Sequence, residues 1–241
     1  MEELKLTPSE LRELTKNSKL IGRGFFGSVF KYKDRLIKLD SVLYSLLNGS
    51  DASLADKVFS DHYRYSREDF ADVSQIETLA GKQKDITLTK MPLGVVRVDS
   101  RVPGVIIPYH EGYQDLEKMS PTDYKKLLVI LKKLLLAVQE LADNEIAHAD
   151  LIHRFQESRQ KMAYNIMYKD ETPQIVDLEG QLITCGKHFK DAKEMYNELG
   201  RVVLSYFKAN KLPIEVTGED ITDEAKARDL INELENRVRG K

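Results

Sequence analysis

The sequence has a single cysteine, Cys185, in 241 residues, which excludes an internal disulfide and any cysteine-based zinc site. Its 13 glycines and 7 prolines are too few for a fibrous protein or a low-complexity linker. Long apolar runs are missing as well. The stretch 127–131 stops at Lys132 and Lys133, far short of the ~20 residues that a membrane span needs. Neither sign of charge is in excess: 37 Lys and Arg against 39 Asp and Glu leave −2. That balance argues against a general nucleic-acid binder and leaves room only for a local basic patch. The first residues are acidic and amphipathic, unlike a secretory signal. With 41% apolar and 32% charged residues and no internal repeat, the expectation is a cytoplasmic globular protein. The length suits one full core or two small lobes.

Helix starts are clearly marked. Thr7-Pro8-Ser9-Glu10 combines a capping hydroxyl, a proline for the first turn and an acid three residues on. Ser120-Pro121-Thr122-Asp123 repeats the device before an amphipathic run at 124–141, and Ser66 to Asp69 opens a helix carrying Phe70, Val73, Ile76 and Leu79. Two further helices are expected at about 191–207 and 223–238. Strands are expected at 19–23, 28–33, 35–39, 95–98, 104–108, 166–168 and 174–176. Strands thus dominate the first part of the chain and helices the second. The class is α+β, with a boundary between 1–110 and 111–241.

Gly22, Gly24 and Gly27 form a GxGxxG pattern. Glycines at these places let backbone N–H groups approach phosphates, although a glycine-rich hairpin also exists without a ligand. Strand residues follow Gly27 rather than a helix, so the loop joins two strands instead of opening a dinucleotide-binding fold. Lys38 comes eleven residues later, flanked by Ile37 and Leu39. A strand lysine can simply snorkel outward; behind this hairpin it is placed to reach the same phosphates. Glu77 shares helical spacing with Phe70 and Val73, which predicts an acid on the apolar face of its helix or on its flank. Farther on come His148-Ala149-Asp150, then Asn165, then Asp177-Leu178-Glu179-Gly180. Singly, such Asp and Asn residues cap turns. Together they suit phosphoryl transfer, in which one aspartate orients an acceptor hydroxyl while an asparagine and a second aspartate offer the hard oxygen ligands that magnesium prefers.

In this order the motifs resemble the protein-kinase-like superfamily over about residues 19–207. The resemblance implies a bilobal fold, a strand-rich lobe with one helix over a mainly helical lobe, with ATP between them. It implies that Gly22, Gly24 and Gly27 cover the phosphates, that Lys38 pairs with them, and that Glu77 holds Lys38. Asp150 resembles the catalytic aspartate, and Asn165 and Asp177 the magnesium ligands. Pro108 and His110 resemble the hinge that binds adenine through a carbonyl and an N–H, with Val29, Leu36 and Met167 sandwiching the ring. Asp191 resembles the buried acid that props the catalytic loop.

Departures from the family pattern narrow the expectation. Asp150 and Asn165 stand fifteen apart, against five in the family, so 155–164 reads as an insertion. Ala149 replaces the arginine that would clamp an activation-loop phosphate. Ten residues between Gly180 and Asp191 leave no room for an ordinary activation segment. The expectation is a small atypical kinase of bacterial type, dependent on ATP and magnesium, with a protein Ser/Thr acceptor favoured over a small molecule. The rival is a pseudokinase that binds nucleotide without transferring phosphate. Residues 40–65 are either a surface loop or a site-specific element.

Overall fold

The capping signal at Thr7 and the alternating strands after it assemble as their sequence suggests, in a computed structural model that describes residues 1–23, 27–48, 70–120, 123–152, 165–179, 183–188 and 192–239. The described residues form an α+β protein with six α-helices, one mixed sheet and two antiparallel sheets. Contacts divide it into one unit of 1–83 with 91–110 and a second of 84–90 with 111–241. The stretch 84–90 therefore groups with the second unit rather than with its sequence neighbours. The cause is Glu140, whose Oε1 accepts the Thr87 N–H at 2.9 Å and whose Oε2 accepts the Leu88 N–H at 2.8 Å.

The first unit runs β1 (Glu2–Leu6), α1 (Pro8–Asn17), β2 (Leu20–Arg23), β3 (Gly27–Tyr32), β4 (Arg35–Asp40), α2 (Ser41–Leu47), α3 (Val73–Lys82), β5 (Gly94–Val98) and β6 (Arg101–Pro108). Its six strands lie in the order β1-β5-β6-β4-β3-β2. One sheet face, with Phe30, Ile37, Leu39, Val96, Val98 and Ile106, packs on Leu11 of α1 and on Leu43 and Leu47 of α2. The opposite face, with Val95, Val102 and Val105, packs on Ile76 of α3. Burying each of these side chains contributes about 1.5–3 kcal/mol, so both layers stabilise the sheet.

Thr7 caps α1 as a full capping box, with the Glu10 carboxylate returning to the Thr7 N–H at 2.8 Å. β1 was not foreseen, because its acidic residues mask the alternation of half-buried Glu2, Leu4 and Leu6 with exposed Glu3 and Lys5. It pairs parallel to β5. Gly94 makes that approach possible, since a Cβ there would lie 2.0 Å from the Glu2 carbonyl oxygen. α2 occupies the start of the undecided 40–65 stretch. Asp40 caps it by accepting the Leu43 N–H at 2.7 Å, and the buried Arg12 guanidinium donates to the Leu47 carbonyl at 3.1 Å at its other end. The β3–β4 turn falls on left-handed Lys33 (φ 55°), one residue ahead of the expected connection.

The second unit contains β7 (Gln114–Asp115), α4 (Tyr124–Asp143), β8 (Ile146–His148), β9 (Ile166–Lys169), β10 (Thr172–Ile175), β11 (Ile183–Cys185), α5 (Lys193–Ala209) and α6 (Glu224–Arg239). β10, β9 and β7 make one antiparallel sheet, and β11 with β8 another. α4 buries a wide stripe from Leu127 to Leu141. Its N-cap falls three residues after the expected Ser120. Asp123 is the N-cap, without a side-chain cap bond, and its N–H donates to the Ser120 carbonyl at 3.1 Å. No helix among the described residues is long and apolar enough to cross a membrane.

Candidate functional site

In the second unit three short segments are laced together by backbone and side-chain bonds. β8 ends at His148, which is buried. The Asp150 N–H donates to His148 Nδ1 at 3.2 Å, so the ring proton belongs on Nε2, which lies 3.0 Å from the Val176 carbonyl oxygen. The Asn165 N–H donates to the Leu151 carbonyl, and the Val176 N–H donates to the Asn165 carbonyl, both at 3.0 Å. Asp150, Asn165 and Asp177 are thereby set at the ends of neighbouring segments, although 27 residues separate the first from the last. The side chains continue the lacing: Asn165 Nδ2 donates to the Asp150 carbonyl at 2.7 Å and to Asp150 Oδ2 at 3.2 Å.

The same bonds define what each group can offer. With Nδ2 committed to Asp150, the ligand-capable end of the Asn165 amide is Oδ1, a hard oxygen donor. Asp177 is held at φ 63°, in the left-handed region, which aspartate tolerates better than most residues with a Cβ. The donor set of one amide oxygen and one carboxylate fits magnesium rather than zinc. Among the described residues no group of three or more His, Cys, Asp and Glu gathers that could hold a metal ion.

The first unit sets out a second group of expected residues. Gly27 pairs with Asp40 and Val29 with Lys38 across β3 and β4, and Leu36 lies two residues before Lys38. Strand alternation therefore puts Gly27, Val29, Leu36 and Lys38 on one face. The Lys38 side chain runs so close over Gly27 that a Cβ there would lie 2.7 Å from its Cε and 2.8 Å from its Cγ. Gly22 is in β2 and exposed, and a Cβ on it would meet nothing within 4 Å. Gly24 and Asp191 lie outside the described residues, as does the 155–164 insertion. Pro108 ends β6 and His110 follows two residues later, both half-buried; half-buried Met167 is in β9 of the second unit, paired with Gln174.

Glu77 departs from expectation. It is exposed, and no hydrogen bond or ion pair among the described residues involves its side chain. The fully buried side chains of α3 are Ile76 and Leu79, and partly buried Phe70 and Val73 pack on the same core cluster as Ile76. At about 100° per residue, Glu77 stands well round the helix from Ile76 and Leu79.

One acid escaped sequence reasoning altogether. Glu198 of α5 has a fully buried side chain, with Arg201 Nη1 2.5 Å from its Oε1. It falls three residues after buried Met195 and four before buried Val202, an acid on the apolar stripe that helical periodicity could have flagged. Burial alone would lower the Arg201 guanidinium's pKa; its hydrogen bond to Glu219 and the Glu198 and Glu219 charges outweigh this and raise it. The backbone N–H and Arg201 together hold the Glu219 carboxyl below its ordinary range. No family model and no curated protein matches the chain.

Proposed function

We propose that the chain is an ATP- and magnesium-dependent phosphotransferase of bilobal protein-kinase-like fold, acting in the cytoplasm on protein serine or threonine hydroxyls. The observation that carries this reading is the lacing of Asp150, Asn165 and Asp177 onto adjacent segments, with the Asn165 amide donating to the Asp150 carboxylate. Asn165 Oδ1 and the Asp177 carboxylate would hold magnesium, which when bound neutralises phosphate charge. Asp150 would orient the acceptor hydroxyl and take its proton. In the first unit, Lys38 would pair with phosphate oxygens beside the loop that ends at Gly27. Val29 and Leu36 would meet the adenine, and Pro108 and His110 would supply the hinge carbonyl and N–H. Glu77 is left without a role, and its exposure is the one observation that favours a binding module which no longer transfers phosphate.

The test is incubation of the purified chain with labelled ATP and magnesium, with and without generic protein acceptors, followed by mass spectrometry. Phosphate on serine or threonine is the expected result. Nucleotide binding without any transfer would favour the binding module, and absence of nucleotide binding would overturn both.

A further inference from the structure

A carboxylate buried in mid-helix is costly unless it is paired and hydrogen-bonded. Glu198 meets both conditions with different oxygens. Oε1 faces Arg201 one turn on, and Oε2 accepts the Ile152 N–H at 3.4 Å, 46 residues away in sequence. Arg201 is itself steadied from outside, because a second guanidinium nitrogen pairs with Glu219. The turn that presents Glu219 is bolted to α5 by Asn197, whose Nδ2 donates to the carbonyls of Gly218 at 3.0 Å, Glu219 at 3.2 Å and Ile221 at 2.8 Å.

Arg201 is satisfied as an ion by Glu219 at the surface. What Glu198 adds is an acceptor for a buried backbone N–H, a group that requires a partner. Ile152 is 1% exposed and stands two residues past Asp150, and the carbonyl of its neighbour Leu151 receives the Asn165 N–H. The peptide that Glu198 fixes is therefore the one linking the Asp150 segment to Asn165. Resting on the phosphotransferase reading, we propose that Glu198, braced by Arg201 and Glu219, is a positioning residue that holds the 150–152 backbone in register with Asn165.

Two double variants and one single variant test this in the full chain. Glu198→Met with Arg201→Met removes both buried charges, an exchange that is often neutral for stability, and also removes the acceptor. Glu198→Gln with Arg201→Met keeps an amide oxygen as acceptor. Glu198→Asp keeps the charge but is one methylene short of Ile152. The first double variant is expected to fold, to melt below the parent because the buried Ile152 N–H loses its acceptor, and to bind Mg·ATP within about threefold. Its kcat should fall by about tenfold or more, since small misplacements of reacting groups are costly. Its Ile152 amide should exchange with solvent about tenfold faster. The glutamine double variant should restore both, and Glu198→Asp should behave as the methionine pair does, which decides the matter should that pair fail to fold. Equal kcat and equal Ile152 exchange in the methionine and glutamine pairs, or parental values in Glu198→Asp, would overturn the proposal. If the parent transfers no phosphate, the function reading fails and the exchange rates alone still decide whether Glu198 positions the loop.

Discussion

Asp150 donates its backbone N–H to the ring of His148, two residues before it in the chain, and that bond assigns the imidazole's tautomer. The proton left on Nε2 then points to the Val176 carbonyl, one residue before Asp177. One buried neutral ring thus sets the spacing between the backbones of Asp150 and Asp177. His148→Phe fills a similar volume and leaves the Asp150 N–H and the Val176 carbonyl without these partners, at about 1 kcal/mol for each half-buried group. The variant is expected to melt earlier and to lose about tenfold or more in kcat. Thermal melts and a transfer assay check this; parental turnover in a folded variant would show that the ring does not set the spacing. Nitrogen-15 spectra of the parent should show the Nε2–H tautomer.

The two aspartates differ in what their loss should do. On the proposed function, Asp177→Asn removes a charge from the residues proposed to hold magnesium, so both magnesium-dependent ATP binding and transfer should fall. Asp150→Asn leaves the proposed phosphate and metal ligands intact and should bind Mg·ATP nearly as the parent does. Its turnover should nevertheless drop by about a hundredfold or more, the scale of a positioned acid–base group. Calorimetry with and without magnesium, beside the transfer assay, separates the two. An Asp150→Asn protein as fast as the parent would remove Asp150 from the mechanism.

Gly27 is fixed by a side chain rather than by its own conformation. A methyl group there would collide with the Cγ and Cε of Lys38 and press on the Leu39 carbonyl oxygen at 3.3 Å. The lysine can swing aside more easily than the sheet can open. Gly27→Ala is therefore expected to fold, with Lys38 displaced from its place over β3. Mg·ATP affinity should fall about tenfold if Lys38 pairs with phosphate, about the worth of one charge-assisted bond. Unchanged affinity in a folded Gly27→Ala protein would argue that Lys38 only covers the strand.

Elements whose signals are local were legible in the sequence. The Thr7 capping box, the alternation in β3 and β4 and the long stripe of α4 each lie within a few residues, and they appear at the expected places within a residue or two. β1 was not legible, because what makes it a strand is β5, about ninety residues away, and a glycine there that admits its backbone. Asp150, Asn165 and Asp177 stood out by residue type and order, whereas the lacing that sets them side by side depends on carbonyls and N–H groups of any residue type. Glu77 shows the opposite failure. Phe70 and Val73 do pack on the core cluster, but Ile76 is the α3 residue buried against the sheet, and Glu77 one residue on is turned outward, which spacing from Phe70 and Val73 alone did not decide. Glu198 went unnoticed because an acid in a helix is ordinarily solvated, although its spacing from Met195 and Val202 put it on the apolar stripe.

The capping box of α1 carries a pH dependence whose sign follows from its bonds. The Thr7 N–H, at 2.8 Å, and then the Thr7 hydroxyl, at 2.9 Å, donate to the Glu10 carboxylate and hold it below its ordinary value of 4.5. A carboxyl depressed in the folded state binds protons more readily when unfolded. Its contribution is therefore complete above about the ordinary value and fades as the pH falls through the lower folded-state value. Glu10→Gln keeps an acceptor for the same N–H but loses the charge, which also favours the positive end of the helix dipole. The variant should melt below the parent at pH 7, and the gap should close on acidification below the ordinary glutamate range. Thr7→Ala, which removes the hydroxyl that accepts the Glu10 N–H, should cost about 1 kcal/mol at pH 7. Melts of the three proteins across the acid range measure this. A gap between parent and Glu10→Gln that stays constant with pH would mean that the box acts through its geometry alone.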